Sequence, residues 1–378
     1  MNQKEISELR RRFRADKSSI SRIYGCYVNT NKEIVTHLDA SLGRLPEQET
    51  DLYLGRLKKV LSGAQGRNLI DIVFSTQQVA DSDEHRLLMA LRDSHLEDAS
   101  VRNEFYEKAI NALDMGDSNY IILLAADSYD VPYRGKDGEM QADASDQVFS
   151  YIVCAVCPVK DANPELRYFN GDNEFHTDSV SQVAGATALG FLFPAFDDRA
   201  ANIYNALYYA QKPVELHHEF IDAVFHTEPP MSASEQQDAF RAALSEALED
   251  ECRYDVVQTI NEQLRERVEE HKNEKNPEPL SLSTREVEAI LRSGGVSDER
   301  IEAFTKSVRE QFGEEAALQP ANLIDGKLDI ETPTAKVSIP AEYGYTVETR
   351  VIDGRKYILI PADEGVTVNG VDIHIASE

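Results

Sequence analysis

The chain has 378 residues and a formal charge of −28, from 39 basic against 67 acidic side chains. The length predicts two or three domains at about 150 residues each, and a 42% hydrophobic content is enough for packed cores, which excludes global disorder. Such an acidic surface repels nucleic acid and anionic lipid as a whole.

The first segment, MNQKEISELRRRFR, is polar throughout and lacks the apolar core of a secretory signal. It predicts a helix whose basic face holds Arg10, Arg11, Arg12 and Arg14. Such a face either pairs with neighbouring carboxylates such as Glu5 and Glu8 or contacts nucleic acid. SISRIYGCYV and KEIVTHLDA read as strands around a turn at Asn29, Thr30 and Asn31. ETDLYLGRLKKVL carries a helical apolar stripe, and NLIDIVF is a short strand. HRLLMALRDSHL and VRNEFYEKAINAL follow as helices. NYIILLAADSY and VFSYIVCAVCPV are continuously apolar, as expected of strands covered on both faces. The nearly apolar run 183–196 is too short to span a bilayer and is interrupted by glycine and Pro194. No membrane contact is expected.

From residue 234 the pattern becomes helical: DAFRAALSEAL, YDVVQTINEQLRERVEEHK, REVEAILR and DERIEAFTKSVREQF. Ser283 with Glu286 predicts a capping box, and Gly294 with Gly295 a stop. The second helix of this hairpin carries too many carboxylates to read DNA. From residue 321 the chain reads as β-structure. Asp325–Gly326, Asp353–Gly354 and Asn369–Gly370 predict hairpin turns. The expected fold class is α+β: a mixed α/β domain over 1–233, a helical segment over 234–320 and a small all-β hairpin module over 321–378.

Several stretches resemble a known family. ISRIYGCYV, EFYEKAI, ASDQVFSYIVCAVCPV, GFLFPAFDDRAANIYNALYY and VETRVIDGRKYILIPADEGVTVNGV look like the uncharacterised bacterial family called domain of unknown function 4317. The resemblance covers the whole chain. It implies a cytoplasmic protein and no assigned activity. IETPTAKVSIPAEY and RVIDGRKYILI are similar to the tail of the 37-kilodalton nucleoid-associated proteins, a similarity that transfers no functional residue.

Four cysteines, at positions 26, 154, 157 and 252, fit a reducing compartment. Cys154 and Cys157 form Cys-x-x-Cys within a strand, where residues three apart point to opposite faces. They are expected to be structural thiols without metal. On a helix, His218, Asp222 and His226 would stack at i, i+4 and i+8, either as a solvated flank or as half of a metal site. In FPAFDDRAANIYNALYY, Asp197, Asp198 and Arg199 are expected at a strand-to-helix junction, as an N-cap with an ion pair or as a ligand surface. Asp127 and Asp130 are expected at a strand end, before a long acidic loop with Asp137, Asp143 and Asp146. Phosphate-loop, dinucleotide-fingerprint and nucleophile-elbow motifs are absent. The expectation is a non-enzymatic cytoplasmic binding or scaffold protein without cofactor, acting through a protein partner or self-association. The alternatives are nucleic-acid binding through Arg10, Arg11, Arg12 and Arg14, and a metal-dependent hydrolase using Asp197 or Asp198 with the His218 region.

Overall fold

A computed structural model describes residues 1–134, 140–162, 166–171, 173–177, 182–228, 230–274, 276, 278–313, 317–363, 365–368 and 370–375. The chain forms two compact units, residues 1–235 with 277–279, and 236–276 with 280–378.

The first unit opens with α1 (Gln3–Arg10), started by a capping box between Asn2 and Glu5. Next come β1 (Arg22–Val28) and β2 (Ile34–Ser41), α2 (Glu47–Lys59) and β3 (Leu69–Val73). Helices α3 (Thr76–Asp81), α4 (Asp83–Asp93) and α5 (Ala99–Ala112) follow. Ser75, Ser82 and Asp98 cap them in turn, each side chain accepting backbone N–H groups. Two long strands, β4 (Tyr120–Arg134) and β5 (Met140–Asp161), pair antiparallel. β6 (Leu166–Phe169) and β7 (Glu174–Thr177) make a separate hairpin. The unit continues through β8 (Gln182–Ala184), β9 (Leu189–Phe193), β10 (Ala195–Asp197), β11 (Ala200–Asn202), β12 (Asn205–Ala210) and α6 (His218–Phe225).

The main sheet has the order β2-β1-β4-β5-β9-β12-β3, with β8 beside β5. Its central strands are buried on both faces. On β5, Ile152, Cys154 and Val156 face a core built with α4, α5 and α6, while Val153 and Ala155 face one built with α1 and α2. Gly190 on β9 is fixed by this packing. A Cβ there would lie 2.3 Å from the Cys154 carbonyl oxygen and 2.7 Å from Val60.

Two expectations for this unit need correction. The stretch after Arg199 is not a helix: Ala206 to Ala210 form a strand between β9 and β3. Ala206 and Tyr208 enter one core, and Leu207 and Tyr209 the other. A short apolar run does not reveal its period, and its paired tyrosines favour strand. Asp197 and Asp198 therefore cap no helix. Asp127 and Asp130 sit within β4 rather than at its end, and Asp143 and Asp146 fall within β5. Asp137 lies outside the described residues.

Helix α7 (Ala233–Leu248) leads into the second unit, which continues with α8 (Tyr254–Glu274), β13 (Leu282–Ser283), α9 (Thr284–Ser293), α10 (Asp298–Phe312), β14 (Ala317–Leu318) and α11 (Pro320–Leu323). Ser283 and Glu286 form the capping box of α9, and Gly295 takes a φ of 81° after it. Phe240, Ile260, Leu291 and Phe304 centre this core.

Three hairpins end the unit: β15 (Lys327–Thr332) with β16 (Ala335–Pro340), β17 (Glu348–Ile352) with β18 (Arg355–Leu359), and β19 (Val366–Val368) with β20 (Val371–Ile373). Asp353 and Gly354, with φ of 50° and 77°, form the expected two-residue turn. The third expected turn, Asn369–Gly370, falls on Asn369, which lies outside the described residues; the strands beside it pair Val368 with Val371. Asp325–Gly326 is different. It joins α11 to β15 instead of closing a hairpin.

Candidate functional site

The expected basic helix is shorter than its sequence suggests: α1 ends at Arg10, and Arg11, Arg12 and Arg14 lie in the turn after it, where Arg12 and Arg14 are engaged by their own unit. Arg12 pairs with Asp127 at 3.1 Å, and the Asp127 side chain is only 2% exposed. That carboxylate also accepts hydrogen bonds from Ser19 Oγ at 2.6 Å, Tyr151 OH at 2.8 Å and the Ser128 N–H at 2.9 Å. The Arg12 guanidinium donates to Ser19 and lies 4.4 Å from the centre of the Tyr129 ring. Burial and the Asp127 charge push the Tyr151 hydroxyl well above its ordinary range. Arg14 pairs with Asp16 at 2.9 Å. Arg10 is half-buried and Arg11 exposed, and neither forms a salt bridge among the described residues.

Asp197, Asp198 and Arg199 sit on the β10–β11 hairpin. Asp198 and Arg199 form its turn, with φ of 47° and 62°. Asp198 is exposed. Arg199 reaches Glu8 of α1 at 2.9 Å and the Pro132 carbonyl at 3.1 Å, and its backbone N–H donates to Glu5. The turn thus clamps α1 onto the sheet. Asp197 accepts from Asn202 Nδ2 at 3.1 Å and lies 3.6 Å from the Met1 amino group. That amino group is also 3.8 Å from Asp71, whose carboxyl is raised by burial despite the nearby positive charge.

His218 and Asp222 are exposed on α6, which packs on the opposite face of the sheet from α1. The sheet therefore separates them from the Asp197 hairpin. The helix ends at His226, whose Nδ1 lies 3.8 Å from Asp222. Among the described residues no group of three or more His, Cys, Asp or Glu side chains could hold a metal ion. Cys154 and Cys157 are free, buried thiols. Cys154 enters the core beneath α4 to α6. Cys157, an odd number of residues along β5, takes the other face and approaches Thr187 Oγ1 at 3.6 Å. Burial pushes both thiols up, away from reactive thiolate.

The second unit holds a groove of about 850 Å³ between β15–β16, β17–β18 and the start of α8. Ile330, Val337, Val351, Tyr357, Ile358 and Ile360 supply its apolar surface, and Arg253, Arg350 and Lys356 its cations. The segment 341–346 ties the hairpins to α8: Tyr254 OH donates to the Gly344 carbonyl at 2.8 Å, and Arg265 to the Ala341 carbonyl at 2.9 Å. A second cleft, about 730 Å³, lies between α7, α8 and β15, but its Arg241 is already paired with Asp325.

The comparison with protein-family models decides the assignment: the model described as Domain of unknown function (DUF4317) matches residues 1–371. The chain belongs to this family. No curated protein matches it. The groove of the hairpin module is the feature that sequence pattern missed. Its signal lies in RVIDGRKYILI, where Val351, Ile352, Tyr357 and Ile358 place apolar residues on both faces of one hairpin, more than a single buried face requires.

Proposed function

We propose that the chain is a non-enzymatic cytoplasmic binding or scaffold protein whose C-terminal hairpins dock onto a protein partner. The observation that carries this reading is the exposure of apolar side chains in that module. Val351 is 69% exposed, Val371 64% and Ile375 67%. Each hairpin pairs only with itself among the described residues. A lone two-stranded hairpin is marginal in water, and open strand edges and contiguous apolar patches favour association. The first unit supports the same reading from the other side. Its conspicuous polar groups are spent on the N-terminal segment: Arg199 holds α1 through Glu8, and Asp127 holds the turn after it through Arg12.

Free thiols at all four cysteines fit a cytoplasmic setting, and no helix among the described residues is long and apolar enough to cross a membrane. Among the described residues, two of the nucleic-acid alternative's four arginines, Arg12 and Arg14, are paired, and Arg10 and Arg11 form no salt bridge. The hydrolase alternative draws no support from an Asp197 hairpin and an α6 on opposite sides of the sheet.

Affinity purification of the tagged chain, compared with a Val351→Asp/Ile358→Asp variant and followed by reconstitution from purified components, tests the reading. A partner that binds the wild type and not the folded variant supports it. Binding that survives these changes and maps to the first unit rejects it.

A further inference from the structure

The last hairpin and the groove have matching chemistry. In β19–β20, Val366 pairs with Ile373 and Val368 with Val371, so these four side chains share one face. That face is uncovered: Val368 is 49% exposed and Val371 64%. The other face presents Thr367 opposite Asp372. Asp372 is the hairpin's strand charge, and it is exposed and forms no salt bridge among the described residues. The groove has the complementary character. Its charged lining residues are Arg253, Arg350, Lys356 and Asp255; Arg253 pairs with Asp255 at 3.3 Å and Arg350 donates to Glu348 at 2.8 Å, which leaves Lys356 as the lining cation with no salt bridge among the described residues. Lys356 is exposed.

The hairpin does not occupy the groove of its own chain, whose lining ends at Ile360. Residues 360–365, which include Pro361, join β18 to β19. A short connection disfavours folding back and favours exchange between copies.

We propose that two copies of the chain exchange their terminal hairpins. The aliphatic face of β19–β20 from one copy covers Ile330 and Val337 of the other, and Asp372 turns toward Lys356 on the opposite wall. The exchange is reciprocal, so a two-fold dimer fills both grooves and leaves no open site to propagate. This inference rests on the reading that the C-terminal module is the docking part, and it names a second copy as the occupant.

Sedimentation equilibrium of the full chain over a wide concentration range tests it. The wild type is expected to form a concentration-dependent dimer. Lys356→Glu and Asp372→Lys are each expected to weaken association about tenfold or more, and their combination to restore much of the loss. Val368→Asp provides an apolar arm, and circular dichroism confirms that each variant is folded. A monomer at every concentration overturns the proposal, as does a dimer indifferent to all three changes or a double variant no stronger than the singles. If the chain is monomeric while Val351→Asp/Ile358→Asp still abolishes a heterologous partner, the exchange fails and the docking reading stands. If those changes affect neither, both fail.

Discussion

Replacing Asp127 with alanine tests whether its buried network holds the segment that follows α1 against the sheet. In the native chain this carboxylate accepts from Arg12, Ser19, Tyr151 and the Ser128 N–H. Alanine leaves the Arg12 guanidinium, 20% exposed, without its counter-ion, and leaves the buried Tyr151 hydroxyl without its acceptor. Breaking a buried pair from one side typically costs about 3–5 kcal/mol. The partial exposure of Arg12 argues for the lower end, near 3 kcal/mol. That is a large share of the roughly 5–15 kcal/mol that stabilises a typical domain. Removing both charges with Arg12→Met/Asp127→Leu should recover much of the loss, because neither charge is then stranded. Urea unfolding followed by hydrogen exchange measures both effects, with the earliest loss of protection expected in the segment that follows α1. A destabilisation below about 1 kcal/mol, or a double variant no better than the single one, refutes the reasoning.

Gly190→Ala should destabilise the first unit by about 1–3 kcal/mol, read by thermal melting, because its Cβ would meet backbone of β5. An unchanged melting temperature contradicts that packing. Glu84 pairs with Lys108 at 2.7 Å; burial opposes its ionisation, but Lys108 and Ser82 hold its carboxyl down to about 2 from an ordinary value of 4.5. A depressed folded value means that the pair's contribution is complete above about pH 4.5 and lost as pH falls toward 2. Lys108→Met should therefore narrow the stability difference from wild type as pH is lowered through that window. Native alkylation followed by mass spectrometry should label Cys252 first, since Cys26, Cys154 and Cys157 are buried. Rapid labelling of Cys154 would contradict its core position. Arg10→Ala and Arg11→Ala should leave folding intact while Arg12→Ala weakens it. A salt-sensitive mobility shift abolished by the first two changes would favour nucleic-acid binding instead.

Much of the fold is legible in the sequence where local signals agree. The capping box at Ser283, the glycine stop at Gly295, the turn at Asp353–Gly354 and the apolar strand segments expected over 119–129 and 148–159 each rest on a clear local pattern. Residues 200–210 carry no such pattern, and only neighbours distant in sequence, β9 and β3, decide that they form a strand. The candidate sites divide on the same principle. Opposite faces for Cys154 and Cys157 follow from strand geometry alone. That Arg12 is bound to Asp127, 115 residues away, depends on sheet order, which local pattern does not encode. The groove is hidden for a related reason: its walls come from two hairpins, and sequence alternation describes each hairpin singly.

Lysine-directed cross-linking of the chain in its native cells tests the docking role of the C-terminal module most directly. Lys327, Lys336 and Lys356 lie on the hairpins, and Lys17, Lys32 and Lys108 on the first unit. The docking role predicts that links to other protein molecules concentrate on the hairpin lysines and disappear with Val351→Asp/Ile358→Asp. Links concentrated on Lys17, Lys32 or Lys108, and unchanged by those substitutions, would contradict it.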